Sequence, residues 1–248
     1  MTGETHRAGG AVISVVGFLM LKQHGLLLPD VNEGLQLLVM YPFTMWGSVA
    51  SDLDHHWDSC PAKDAPSWCI NKALHLGTPV RRARDSLING KKGIGYKLLG
   101  ILDASHRSWQ THSDLTLLSI IFLLWSVMTT KHGTDLAILS LILTGIGLGV
   151  VAHLILDILT PQGIWSCLFV GINKLISLVL HKDVILLPEK IHLVPNIGFF
   201  ATGGMWETAI RRLLKIAAVL SVVYLMVLMF PDIWQGILDL IPYEIEIT

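Results

Sequence analysis

An all-α membrane bundle is the fold class this sequence predicts, and three observations lead to it. Of the 248 residues, 52% are hydrophobic and only 15% are charged. Mean hydropathy is +0.59, whereas soluble domains carry about 25% charged residues. Several apolar runs approach the roughly 20 residues needed to cross a hydrocarbon core of about 30 Å. The polar residues gather instead in two long segments, 51–113 and 157–212. The chain reads as one membrane-embedded helical domain over 1–248.

About five spans are expected. Residues 9–28 form the first, broken only by Lys22, Gln23 and His24 near its end, where long side chains snorkel to the interface. The residues before it include Glu4 and His6, and no small-residue cleavage site follows, so a retained helix is expected. Residues 34–50 form a second span, with a kink expected at Pro42. Residues 115–130 and 136–156 are uninterrupted, and 213–230 complete the set. Residues 164–180 contain Asn173 and Lys174, and read as a re-entrant or surface-lying segment. Within 51–113, residues 67–88 suit either an amphipathic helix on anionic headgroups or a solvated loop. No internal repeat or low-complexity tract is found. Cys60, Cys69 and Cys167 are too few for a disulfide framework and lack zinc-ribbon spacing, so free thiols are expected.

Positive charge sets the orientation. Five spans put the N-terminus, 51–113 and 157–212 on one side. Of 18 Lys and Arg residues, only Lys22 and Lys131 lie nearer the other side. The first side is therefore expected to be cytoplasmic, with the acidic C-terminal tail outside. The net charge of -1 gives no reason to expect a nucleic-acid partner.

Five polar clusters then fall at that one boundary: Thr5-His6; Ser51-Asp52-Leu53-Asp54-His55-His56; His106 to Ser113; His153 to Asp157; and Glu207, shortly before the last span. His153 and Asp157 are four apart, which puts them on one helix face, one turn from each other. Such a pair binds one metal ion or bridges two. The alternative is that Asp157 caps a helix end and His153 bonds a backbone carbonyl. Ionisable groups within a span are costly and point to function. Asp52 and Asp54 suit neighbouring metals, or one ligand and one base. His106 and His112 are six apart and need a turn near Ser108–Gln110 to converge, with Thr111 capping the next helix. Arg107 presents a planar fork that suits a phosphate or carboxylate. Imidazole and carboxylate without thiolate favour zinc, with manganese or iron as alternatives. So many ligands exceed the needs of one catalytic zinc, so two or more divalent ions are expected.

At these residues the chain resembles the YdjM-like family of bacterial inner-membrane, metal-dependent hydrolases. That family's pattern runs T-H, P-D-x-D-H, H-R-G-x-T-H-S, H-x-x-x-D-x-x-T-x-x-G, then a late T-G-S before a Glu. The matches are Thr5-His6; Asp52, Asp54 and His55; His106, Arg107, Thr111, His112 and Ser113; His153, Asp157, Thr160 and Gly163; and Thr202-Gly203 with Glu207. Ser51 stands where Pro is common, and the third motif lacks its Gly and is one residue longer. A looser similarity, in ligand types and spacing only, is to zinc-dependent phospholipase C enzymes.

The resemblance implies a hydrolase in the bacterial inner membrane, and the looser one favours a phosphoester in a lipid-like substrate. On this reading His6, Asp52, Asp54, His106, His112, His153, Asp157 and Glu207 are metal ligands. Asp54 is a ligand or the base, Arg107 holds the anionic group, and His55 and Trp109 contact substrate. Trp46, Trp57 and Trp109 suit an interfacial lipid. The alternatives are a transporter with these residues as its ion path, and a scaffold or regulator with a structural metal.

Overall fold

In the computed structural model, residues 3–29, 31–54, 65–74, 111–130, 134–161, 163–183, 185–193 and 204–239 are described. In chain order they form α1 (Gly3–Gln23), α2 (Glu33–Ala50), a 3-10 turn (Ser51–Asp54), α3 (Ala65–Leu74), α4 (Asp114–Thr129), α5 (Thr134–Ile158), β1 (Ile164–Trp165), α6 (Cys167–Leu180), β2 (Lys190–Ile191), α7 (Met205–Met229) and α8 (Pro231–Asp239).

The apolar runs do become helices, but local chemistry moves their ends. α1 begins at Gly3, so Thr5 and His6 lie inside it rather than before it. It ends at Gln23 because the chain turns at Gly25 (φ 65°), where the Leu26 N–H reaches back to the Leu21 carbonyl. The apolar run continues through Leu26–Leu28, but these residues pack beneath the helix instead of extending it. Asn32 caps α2 by accepting the Leu35 N–H, and the helix passes through Pro42. Ser113, not Thr111, caps α4 by accepting the Thr116 N–H. Glu207 lies in the first turn of α7 rather than before it. Of the proposed 67–88 amphipathic helix only the first part falls in α3, and 75–88 lie outside the described residues.

Among the described residues, two helices are long and apolar enough to cross a membrane, Leu136–Ile158 and Met205–Met229. α4 has 16 residues, a length of about 24 Å. Apolar side chains point outward from α4 (Leu118, Phe122, Trp125) and from α7 (Leu213, Ile216, Val219, Leu220). Polar side chains inside the bundle bond their own helix: Ser14 donates to the Ala11 carbonyl, Thr44 to Met40 and Ser140 to Ala137. This is the arrangement expected where lipid rather than water surrounds the helices.

α2 and α5 make the most extensive helix pair, and α1 packs against α2, α5 and α7. The pair is close because it lacks side chains where it crosses. A Cβ on Gly149 would collide with the Thr44 carbonyl, and one on Gly47 with the Ile146 carbonyl. Small residues allow this backbone approach in membrane bundles. Leu37, Met40 and Leu154 are fully buried around it.

A short hairpin fixes the end of α5. Thr160 donates its hydroxyl to the Asp157 carbonyl, and the Gly163 N–H bonds the Thr160 carbonyl. Gly163 has φ +57°, and a Cβ there would meet the Ile191 carbonyl. The Thr and Gly of the fourth motif thus shape the exit from the helix rather than contact the cluster. Gly163→Ala should destabilise the protein by about 1–3 kcal/mol, from left-handed strain and the collision together. Thermal unfolding in detergent tests this, and an unchanged midpoint would refute it.

Candidate metal centre

Four segments meet at one end of the bundle. His6 comes from the first turns of α1, Asp52 from the 3-10 turn after α2, His112 from the residue before the α4 cap, and His153 and Asp157 from the last turns of α5. All five are buried, with His6, His153 and Asp157 fully inaccessible. The carboxyl-terminal ends of α2 and α5 both face this region, and their partial negative charge favours a cation.

The imidazole of His153 is oriented by its own helix pair. Its Nδ1 lies 2.7 Å from the Ser48 carbonyl of α2. A carbonyl only accepts, so Nδ1 carries the proton and Nε2 of the neutral ring carries the lone pair. His153 therefore does bond a backbone carbonyl, and the same bond leaves its other nitrogen for the centre. His112 is held similarly: Nδ1 lies 2.9 Å from the Thr111 hydroxyl. Its backbone carbonyl accepts the Trp165 N–H at 2.8 Å. The carbonyl partner fixes the tautomer of His153, whereas the Thr111 hydroxyl orients the His112 ring and can either donate or accept.

The inward atoms crowd. His112 Nε2 lies 3.1 Å from His153 Nε2. Each is 3.6 Å from Asp52 Oδ1 and 3.5 Å from Asp157 Oδ2. A tetrahedral ion with bonds of about 2.0–2.1 Å separates its ligands by about 3.3–3.4 Å. The His112–His153–Asp157 spacings match one face of such a polyhedron, and the His112–His153–Asp52 spacings match a second face on the same edge. The His153 lone pair and two carboxylates facing one another repel unless a cation, or a proton such as one on His112 Nε2, lies among them. Burial acts to raise the Asp52 carboxyl, but the imidazoles of His153, His112 and His6 outweigh it and hold it well below the usual carboxylate range.

His6 approaches from the other side. Its ring stacks on His153 with centroids 3.8 Å apart, and its Nε2 lies 3.5 Å from Asp157 Oδ1. Asp157 therefore turns one oxygen to His6 and the other to His112 and His153. Neither ring nitrogen of His6 makes a hydrogen bond among the described residues. A buried polar group in that state needs a compensating ligand. Two sets of ligand atoms, His6–Asp52–His153 and His112–His153–Asp157, each lie within 4.8 Å of one another. The donor set fits a divalent ion.

Glu207 is placed differently from the other expected ligands. Its carboxylate accepts the Thr5 hydroxyl at 3.0 Å and is in neither set. It ties α7 to the residue next to His6. The main-chain carbonyl of Ser48 is a contributor the sequence did not point to, because any residue type supplies one. The Asp54 side chain, His55, His106, Arg107, Trp109 and Thr202-Gly203 lie outside the described residues.

Fold and site together define a helical membrane protein with a buried His/Asp cluster able to hold a metal ion. The chain belongs to the YdjM inner membrane protein family, whose model matches residues 1–233. No curated protein and no solved structure is recognisably similar to it.

Proposed function

We propose that this protein is a membrane-bound, metal-dependent hydrolase of a phosphoester in a lipid or lipid-linked substrate. The observation that carries the proposal is the triangle of His112, His153 and Asp157 donor atoms, with sides of 3.1–3.5 Å, and Asp52 at 3.6 Å from the same two imidazole nitrogens. Imidazole and carboxylate donors without thiolate favour zinc, with manganese or iron as alternatives. His6 with Asp52 and His153 forms a second set of ligand atoms that would hold a further ion. Such ions make water a nucleophile near neutral pH and stabilise charge on a phosphoryl oxygen. Asp54 takes the proton from the attacking water, Arg107 binds the phosphoryl oxygens through its fork, and His55 and Trp109 position the substrate. His106 completes the ligand set.

The same reading makes α1, α2, α4, α5 and α7 the five spans, with the N-terminus and the site cytoplasmic and the C-terminus outside. The Lys and Arg distribution supports that orientation. The gathering of ionisable residues at one end favours an enzyme over an ion path, which would need such groups along the bilayer depth.

The test is metal analysis of the purified protein, followed by phosphodiesterase and phosphomonoesterase assays on lipid phosphoesters. Asp54→Asn should lower turnover about 10²–10⁴-fold, the usual worth of a general base. Bound metal with no turnover on any substrate would make the metal structural and defeat the proposal.

A further inference from the structure

We infer that residues 164–193 form an in-plane membrane anchor, with the leucine face of α6 in the acyl region of the cytoplasmic leaflet. The inference rests on the membrane orientation proposed above and not on the chemistry of the site. α6 has 14 residues, a length of about 21 Å, well short of the roughly 30 Å hydrocarbon core. It does not cross, because the two ends of the 164–193 segment that contains it are fastened together. Ile164 pairs with Ile191 and Trp165 with Lys190. The Ser166 N–H bonds the Glu189 carbonyl, and the Leu193 N–H bonds the Ile158 carbonyl at the end of α5. The segment leaves and returns at the same end of the bundle as the His/Asp cluster.

Its N-terminus is tied there as well. Asp114, in the first turn of α4, accepts the Cys167 N–H at 2.8 Å and the Ser166 hydroxyl at 2.9 Å. The returning chain is held along the helix by Asn173, which accepts the Leu186 and Leu187 N–H groups and donates to the Leu187 carbonyl. The protein therefore satisfies the polar side of α6. Its apolar side faces away: Leu168, Leu175 and Leu178 recur at helical spacing, joined by Val179, Ile185 and Leu186. Leu178 is 70% exposed and Ile185 72%. An apolar surface of this extent marks an interaction site, and in an inner-membrane family the bilayer is the neighbouring apolar phase.

A dipping loop and an in-plane helix place the tip differently. The tip carries His181, Lys182 and Asp183, and a dip would bury all three in hydrocarbon. Lying flat puts the leucines about 5–10 Å below the headgroups and leaves Lys174 and Lys182 at anionic phosphates. Lys190, 4.7 Å over the Trp165 ring, sits at the base in the same interfacial layer. Because Trp165 bonds the His112 carbonyl, this anchor also holds one side of the cluster at headgroup level.

The experiment uses full-length protein with Cys60, Cys69 and Cys167 replaced by Ser, reconstituted in nanodiscs containing anionic lipid. Leu178→Cys and Lys182→Cys variants carry a nitroxide label, and its relaxation is read with oxygen and with a water-soluble nickel chelate. A thermal midpoint and gel-filtration profile equal to the parent's confirm that each variant is folded. The anchor predicts oxygen-dominated relaxation at position 178 and nickel-dominated relaxation at 182. Nickel access at both positions would overturn it in favour of a solvated helix. A deeper label at 182 than at 178 would overturn it in favour of a re-entrant loop. Exclusion of both reagents at 178 would overturn it in favour of a second protein copy covering the face.

Discussion

Asp157→Asn is expected to lower metal affinity by about two to four orders of magnitude. Asp157 is fully buried and faces three imidazoles, His6 through one oxygen and His112 and His153 through the other. The amide keeps the volume but removes the charge and turns an NH2 towards groups that already carry protons or need a cation. Removing one partner of a buried charged pair costs about 3–5 kcal/mol, and each 1.4 kcal/mol is tenfold in affinity. Metal content after dialysis against a graded chelator series measures the shift. Glu4→Gln is the control: it lies two residues from His6 but is exposed and pairs with Lys215. Wild-type metal retention by Asp157→Asn would remove Asp157 from the ligand set.

Gly149→Leu should have the largest effect on folding. The added side chain would start from a Cβ that collides with the Thr44 carbonyl and crowds the Ser48 N–H. Neither is a flexible side chain that can move aside, so α2 and α5 must separate. Overpacking typically costs about 1–3 kcal/mol, and backbone collisions lie at or above the upper end. The displacement would also break the Ser48 carbonyl bond to His153 and so misorient a ligand. We expect a loss of folded protein in detergent together with a loss of metal. Gly171→Leu, at a position with open space around it, should leave both unchanged. A fully folded, metal-replete Gly149→Leu protein would show that the close approach is not required.

The His153–Asp157 pair was the most legible part of the site, because a four-residue spacing on a helix dictates a shared face whatever surrounds it. The structure brings Nε2 and Oδ2 to 3.5 Å. Asp52, His6 and His112 were legible only as residues near a common boundary. Their convergence depends on how α1, α2 and α4 pack, which no local spacing encodes. Capping was read less well: Thr111 and Ser113 are both competent caps, and the choice of Ser113 follows from the pairing of that segment with Trp165. Glu207 was grouped with the ligands by its side of the membrane and its place in the last motif, and its carboxylate accepts the Thr5 hydroxyl.

By itself the sequence determined the helical class, the apolar runs and the collection of His and Asp at one boundary, since composition and periodicity act locally. Only the tertiary structure decided which nitrogen of His153 faces the cluster, that Asp157 divides its two oxygens, and that the segment containing α6 leaves and returns at one end of the bundle. Each of those depends on contacts between residues far apart in the chain: Ser48 with His153, His6 with Asp157, and Ile164 with Ile191.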